Sequence, residues 1–156
     1  RDFANWHPSI HHMIGVLDRT FKWALLGREP LKSWSRGRVA LLGDAAHPTL
    51  PFLAHGAIMA LEDAAVLARC LKETPERPQI ALKRYEATRI GRATAIVNGS
   101  AENGKRFHNP LLADPSAARA YLDEQWDSER VRQRYDWLFE YDANTVPLAD
   151  IQAEVL

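Results

Sequence analysis

Residues Gly37–Lys72 read GRVALLGDAAHPTLPFLAHGAIMALEDAAVLARCLK, and three successive pieces can be seen in them. Arg38–Leu42 (RVALL) is a short β-branched and aliphatic run bounded by glycines, the pattern of a buried strand. Gly43–His55 is turn-rich and carries Pro48 and Pro51. From Gly56 to Lys72, residues Ala57, Ala60, Leu61, Ala64, Leu67, Ala68 and Leu71 recur at helical spacing, which predicts an amphipathic helix packed on that stripe.

Strand, loop and helix in this order place Asp44 at a strand's carboxyl end and Gly56 at a helix start. Ligands of open α/β sheets sit beyond the carboxyl ends of the strands. A helix start there offers unpaired N–H groups and about half a positive charge. A carboxylate such as Asp44 accepts hydrogen bonds from hydroxyls, which suits a sugar or ribityl chain, and a glycine lets backbone approach a ligand closely. Read alone, Asp44 serves equally as a turn or helix cap.

The same stretch resembles the second flavin-binding motif of the FAD-dependent aromatic hydroxylases, and within them the salicylate hydroxylase and 3-hydroxybenzoate 6-hydroxylase branch. The match runs through Gly43, Asp44, Ala45, Ala46, His47, Pro48, Pro51, Gly56, Ala57, Glu62, Asp63 and Ala64. The flanks agree too, with TFKWALLGREPLKSW before it and RYEATRIGRA, ENGKRFHNP and RYDWLFEYDANTVPL after it.

The resemblance implies the C-terminal part of an α/β FAD-binding, Rossmann-like fold, mainly helical with short β elements. It implies FAD as cofactor, NAD(P)H as co-substrate, and O2 and a small phenolic or carboxylated aromatic ring as substrates. No Gly-x-Gly-x-x-Gly occurs, and the chain opens at Arg1 rather than Met. Under the resemblance the pyrophosphate-binding unit is therefore expected upstream, as a missing N-terminal portion of the same enzyme. This chain alone is then expected to be inactive. Residues 1–36 correspond to the end of the substrate domain and the return connection. Residues 37–108 correspond to the last part of the FAD-binding domain, and 109–156 to C-terminal helices and a tail.

The resemblance also assigns roles. Gly43, Asp44, Pro51, Gly56, Ala57 and Ile58 are the expected cofactor-binding residues. Asp44 would bind the ribityl hydroxyls, and the N–H groups at Gly56, Ala57 and Ile58 would face the pyrimidine edge of the flavin. Relatives carry an amide side chain where Ile58 stands, so one hydrogen bond is lost and the backbone donors remain. Pro51 and Phe52 either wall the reactive side of the ring or merely shape the loop. His55 departs from the family's Gln or Lys. It is the one candidate catalytic residue, able to bond the substrate, take its phenolic proton or supply charge, and equally a replaceable surface residue. His47 reads as structural.

Composition bounds the alternatives. The 156 residues, 46% hydrophobic and 26% charged with a net charge of zero, suit one globular domain and give no sign of a nucleic-acid or membrane partner. Cys70 is the only cysteine, so no internal disulfide forms, and a cytoplasmic location is expected. His7, His11 and His12 lack third and fourth ligands at metal-site spacing, so no metal is expected. No Gly-x-Ser-x-Gly elbow accompanies Asp44 and His47 to make a hydrolase.

Elsewhere the spacing predicts a short helix from Pro8 with Ile10, Met13, Ile14 and Leu17 on one face, then a strand over Thr20–Leu26. That strand is expected at an edge, open to self-association as a homodimer. A long helix is expected over Gln79–Phe107, with Leu82, Tyr85, Arg89, Ala93, Ile96, Val97, Ser100 and Gly104 on one stripe. Gly91 and Gly99 within it read as close contacts or a bend, and Arg84, Arg89 and Arg92 as a solvated, ion-paired face. Asp114-Pro115 starts a helix through Trp126, another spans Ser128–Tyr141 with Val131, Tyr135, Leu138 and Phe139 inward, and 142–156 carries few local signals. Two other functions fit the same residues. One is a non-catalytic helical interaction module using Phe21, Trp23, Trp126 and Trp137, and the other is a flavoprotein epoxidase or oxidase on the same fold.

Overall fold

The computed structural model describes residues 3–151. Helix α1 (Pro8–Gly15) begins where proline sits at the first turn, with the His7 ring nitrogen accepting from Ser9 N–H. A two-stranded antiparallel hairpin follows, β1 (Ser35–Arg36) pairing with β2 (Val39–Ala40) around Gly37, whose φ is +58°. Helices α2 (Gly56–Glu73) and α3 (Pro78–Phe107) form the body, and α4 (Pro115–Gln125) and α5 (Ser128–Phe139) complete it. Among the described residues, no helix is long and apolar enough to cross a membrane.

The long helix α3 carries the core. Ile80, Ala81, Tyr85, Arg89, Ala93, Ile96, Val97, Ser100, Asn103 and Gly104 are its buried residues, the expected stripe with Leu82 displaced to a half-buried position. The core closes around Trp34, Met59, Val66, Cys70, Tyr85, Ile96 and Leu138. Asp114 caps α4 by accepting from Ala117 N–H at 2.8 Å, and Asp127 caps α5 through Glu129 and Arg130 N–H, so both starts fall where the sequence puts them.

Five expectations are corrected. Thr20–Leu26 is not a strand: residues 19–31 form no regular element, and Phe21, Trp23 and Leu25 stay exposed, because no described strand offers them a ladder. The run Arg38–Leu42 shrinks to two paired residues, with Val39 exposed. Helix α2 buries not the alanine–leucine stripe but Met59, Glu62, Asp63, Val66 and Cys70, leaving Ala57, Leu61, Ala64, Ala68 and Leu71 outward. The two carboxylates are drawn inward by arginines from α3, and that ion pairing sets the rotation of the helix.

The arginine face of α3 is ion-paired but not solvated. Arg89 is fully buried and Arg92 nearly so. Finally, α5 stops at Phe139, which points outward, and residues 143–149 are tied to α2 and α3. Arg69 donates to the carbonyls of Ala143 and Val146, Arg84 donates to that of Ala149, and Ala149 N–H donates to Thr88 Oγ1. These bonds satisfy backbone that has no partner of its own. Arg1 and residues 152–156 of the expected tail lie outside the described residues.

Candidate functional site

The loop between β2 and α2 is held from inside by one carboxylate. Asp63 Oδ2 accepts from Gly43 N–H at 3.1 Å and from His47 Nε2 at 2.6 Å, while Oδ1 accepts from Arg89 Nε at 2.8 Å. Burial alone would raise the Asp63 carboxyl, but the bonds from His47, Arg89 and Gly43 outweigh it and hold it below its ordinary value. Glu62, beside it, takes Arg92 in a two-pronged pair at 2.9 and 2.7 Å and Arg89 at 2.7 Å. Arg92 reaches on to the carbonyls of Trp137 and Leu138, tying α5 to the same network.

Gly43 sits at φ +60°, a conformation that favours glycine, and an added Cβ would crowd the Ala60 Cβ at 3.3 Å. This buried residue supports the loop, its N–H being taken by Asp63. Asp44 follows in a single 3-10 turn (Gly43–Ala45), exposed, with no hydrogen bond to its carboxylate among the described residues. A second 3-10 turn, Pro51–Leu53, ends at Ala54 in the left-handed region at φ +54°, a strain on the order of 1 kcal/mol for a residue with a side chain. Helix α2 then begins with no side-chain cap, and its first hydrogen bond runs from Met59 N–H to His55 O. Among the described residues the N–H groups of Gly56, Ala57 and Ile58 have no partner.

These features converge on an open cleft of about 440 Å³ lined by Asp44, Thr49, Leu50, Pro51, Ala54, Gly56, Ala57 and Ala60. The structure thus brings Asp44, Pro51, Gly56 and Ala57 together. Ile58 contributes its backbone to the helix start while its side chain is 43% exposed away from the lining. Phe52 points elsewhere, its ring against Gly104 and His108. His55 is turned into the fold: its Nδ1 lies 2.9 Å from Leu53 O, its ring packs edge-on to Phe139, and it does not line the cleft.

The far half of α3 fastens the loop's second part. Ser100 Oγ donates to Leu50 O, Asn103 Nδ2 donates to Phe52 O at 2.9 Å, and Gly99 and Gly104 leave room for Leu53 and Phe52. Of the two glycines read as contacts or a bend, Gly99 makes one and Gly91 faces open space. Two supporting residues escaped the sequence reading. Arg28 donates from outside to the carbonyls of Ala45 and Ala46, and Glu86 collects N–H of Trp34 and Ser35 with the hydroxyls of Ser33 and Ser35. The adjacent carboxylates Glu62-Asp63 facing arginines three apart on α3 were the available signal for the ion network.

Comparison with known proteins gives the family of the chain. A family model described as FAD binding domain matches residues 18–100, more than half of the chain. The chain is 40% identical to the 6-hydroxynicotinate 3-monooxygenase of Pseudomonas fluorescens over 95% of its own length and 33% of that protein's. It is 36% identical to 3-hydroxybenzoate 6-hydroxylase 2 of Aquipseudomonas alcaligenes, over 88% of this chain and 42% of the other. Among solved structures, Klebsiella pneumoniae HpxO complexed with FAD and uric acid superposes with a TM-score of 0.70 at 33% identity, over 84% of this chain and 34% of that one. A salicylate hydroxylase substrate complex gives 0.60 at 32% identity, over 78% and 29%. The chain spans about a third of the length of such relatives. It belongs to the FAD binding domain family, in the company of FAD-dependent aromatic-ring monooxygenases.

Proposed function

We propose that this chain is the flavin-cradling C-terminal portion of a FAD-dependent monooxygenase that hydroxylates an aromatic ring bearing a hydroxyl and a carboxylate, with NAD(P)H as reductant. The observation that carries the reading is the cleft itself. A carboxylate without a partner among the described residues, Asp44, faces the same space as a helix start with no side-chain cap. A ribityl chain needs a hydroxyl acceptor, and the pyrimidine edge of a flavin needs N–H donors, so the residues fit the cofactor. Gly56 supports the fit: an added Cβ there would meet only the Thr49 methyl at 3.5 Å, so the chain's own packing does not demand glycine.

In this reading Asp44 orients the ribityl hydroxyls. The N–H groups of Gly56, Ala57 and Ile58 stabilise negative charge on the pyrimidine edge, and their alignment costs nothing at the moment of reaction because α2 fixes it. Pro51 excludes water beside the ring. FAD, when bound, takes up electrons from reduced nicotinamide and activates dioxygen for insertion of one oxygen atom into the ring. His55, buried behind the turn, sets the conformation of Ala54 and Gly56 through Leu53 O and leaves proton transfer to other groups. Residues 37–108 form the cofactor half of the site. Residues 1–36 and the outward alanine–leucine face of α2 fit further chain of the same enzyme, which the relatives' length supports.

The test is NAD(P)H oxidation by the complete gene product, assayed against hydroxylated benzoates and hydroxypyridine carboxylates with product analysis. Substrate-dependent oxidation with one oxygen atom added to the ring is expected. Flavin reduction that yields only hydrogen peroxide with every such acid would contradict the hydroxylase reading.

A further inference from the structure

Among the described residues the Asp44 carboxylate has no hydrogen bond, so its place over the cleft depends on what fixes the residues around it. On the inner side Asp63 holds Gly43 and His47. The outer arc, Ala45–Ala46, is exposed at Ala45, and its Ala46 N–H donates to Gly43 O at 2.8 Å rather than to that carboxylate. There a single guanidinium nitrogen, Arg28 Nη2, donates to Ala45 O at 2.7 Å and to Ala46 O at 3.0 Å. Arg28 comes from a segment with no regular structure, seventeen residues upstream of Ala45. It makes no ion pair among the described residues, so the charged donor is directed at backbone alone.

We propose that Arg28 is a positioning residue for the flavin: by clamping the carbonyls of Ala45 and Ala46 it locks the 3-10 turn that aims the Asp44 carboxylate into the cleft. The proposal rests on the reading that this cleft holds FAD. Charge-assisted hydrogen bonds to two successive carbonyls restrain the Ala45–Ala46 and Ala46–His47 peptide planes, one residue beyond Asp44. A planar guanidinium can point two hydrogens of one nitrogen at both oxygens, whereas the flexible ammonium of lysine keeps the charge and loses the fixed geometry. Because Arg28 is exposed, its replacement leaves the core untouched.

The test uses the complete gene product as Arg28→Gln and Arg28→Lys, beside Asp44→Ala. Hydrogen exchange of the amides at residues 43–47 is followed without FAD, and FAD affinity is measured by quenching of flavin fluorescence. Arg28→Gln and Arg28→Lys are both expected to exchange faster across that turn and to bind FAD about tenfold more weakly, with the melting temperature nearly unchanged. Unchanged exchange in Arg28→Gln overturns the clamp. Full FAD affinity in Arg28→Lys with the turn still loosened overturns positioning in favour of simple charge attraction. If Asp44→Ala binds FAD as well as the wild type while exchange in Arg28→Gln is faster, the clamp stands and the flavin reading of the cleft falls.

Discussion

Asp63 and Arg89 join the two long helices through a fully buried ion pair, Nε to Oδ1 at 2.8 Å, and the second oxygen of the same carboxylate holds the loop that presents Asp44. Fold and site therefore share one residue. Breaking a buried pair by removing one partner typically costs about 3–5 kcal/mol, because the other charge is left uncompensated. Asp63→Ala is expected to lose stability in that range in urea denaturation, with Arg89 left facing Glu62, the Met59 carbonyl and the Tyr141 ring.

The same carboxylate gives a pH signature. Its pKa is depressed in the folded state relative to 3.8, so its contribution is fully present above that value and is lost as pH falls below it toward the folded pKa. Glu86, also held low against 4.5 because the hydroxyl and N–H donors at Ser35, Trp34 and Ser33 outweigh its burial, acts with the same sign. Wild-type stability should fall steeply as pH drops below about 4.5, and Asp63→Asn should show a shallower acid limb. An equally steep limb in the variant would remove Asp63 from the account.

Glu86 also anchors the hairpin. Its carboxylate accepts from Trp34 N–H at 2.8 Å and Ser35 Oγ at 2.6 Å, and Glu86→Ala leaves two backbone donors beside the core without an acceptor. Each unsatisfied buried donor costs about 1–3 kcal/mol. A loss of that order is expected in thermal unfolding, with faster hydrogen exchange at residues 34 and 35.

Two glycines of α3 should respond in opposite directions. An added Cβ at Gly104 lies 2.8 Å from the Phe52 ring, so Gly104→Ala forces the Pro51–Leu53 turn to shift and should destabilise by about 1–3 kcal/mol. Gly91 has open space around it, and Gly91→Ala should stabilise by about 1 kcal/mol through helix propensity alone. Paired melting curves of the two variants check both signs.

The sequence made the helices legible where local chemistry decides them: Pro8, Asp114-Pro115 and Asp127 start helices within the chain's own turn. Of the candidate site, the glycine, aspartate and proline positions singled out in the sequence line or support one cleft. What could not be read was rotation and partnership. Apolar spacing on α2 pointed to the alanine–leucine face, yet Glu62 and Asp63 turn inward because Arg89 and Arg92 arrive from 26 to 30 residues away. Thr20–Leu26 has strand-forming residues but no described neighbour to pair with. Arg28 reads as a loop residue until the fold lays it across the carbonyls of Ala45 and Ala46.

Equilibrium binding of FAD to the complete gene product, wild type against Asp44→Ala, tests the central claim most directly. Asp44 is exposed and its carboxylate makes no hydrogen bond among the described residues, so the variant should fold and melt as the wild type does. The wild type is expected to show a bound flavin absorption spectrum. The variant should bind FAD about ten- to a hundredfold more weakly, the loss of charge-assisted bonds to ribityl hydroxyls. Equal affinity in the two proteins, or no flavin bound by the wild type, would contradict the assignment of this cleft to the cofactor.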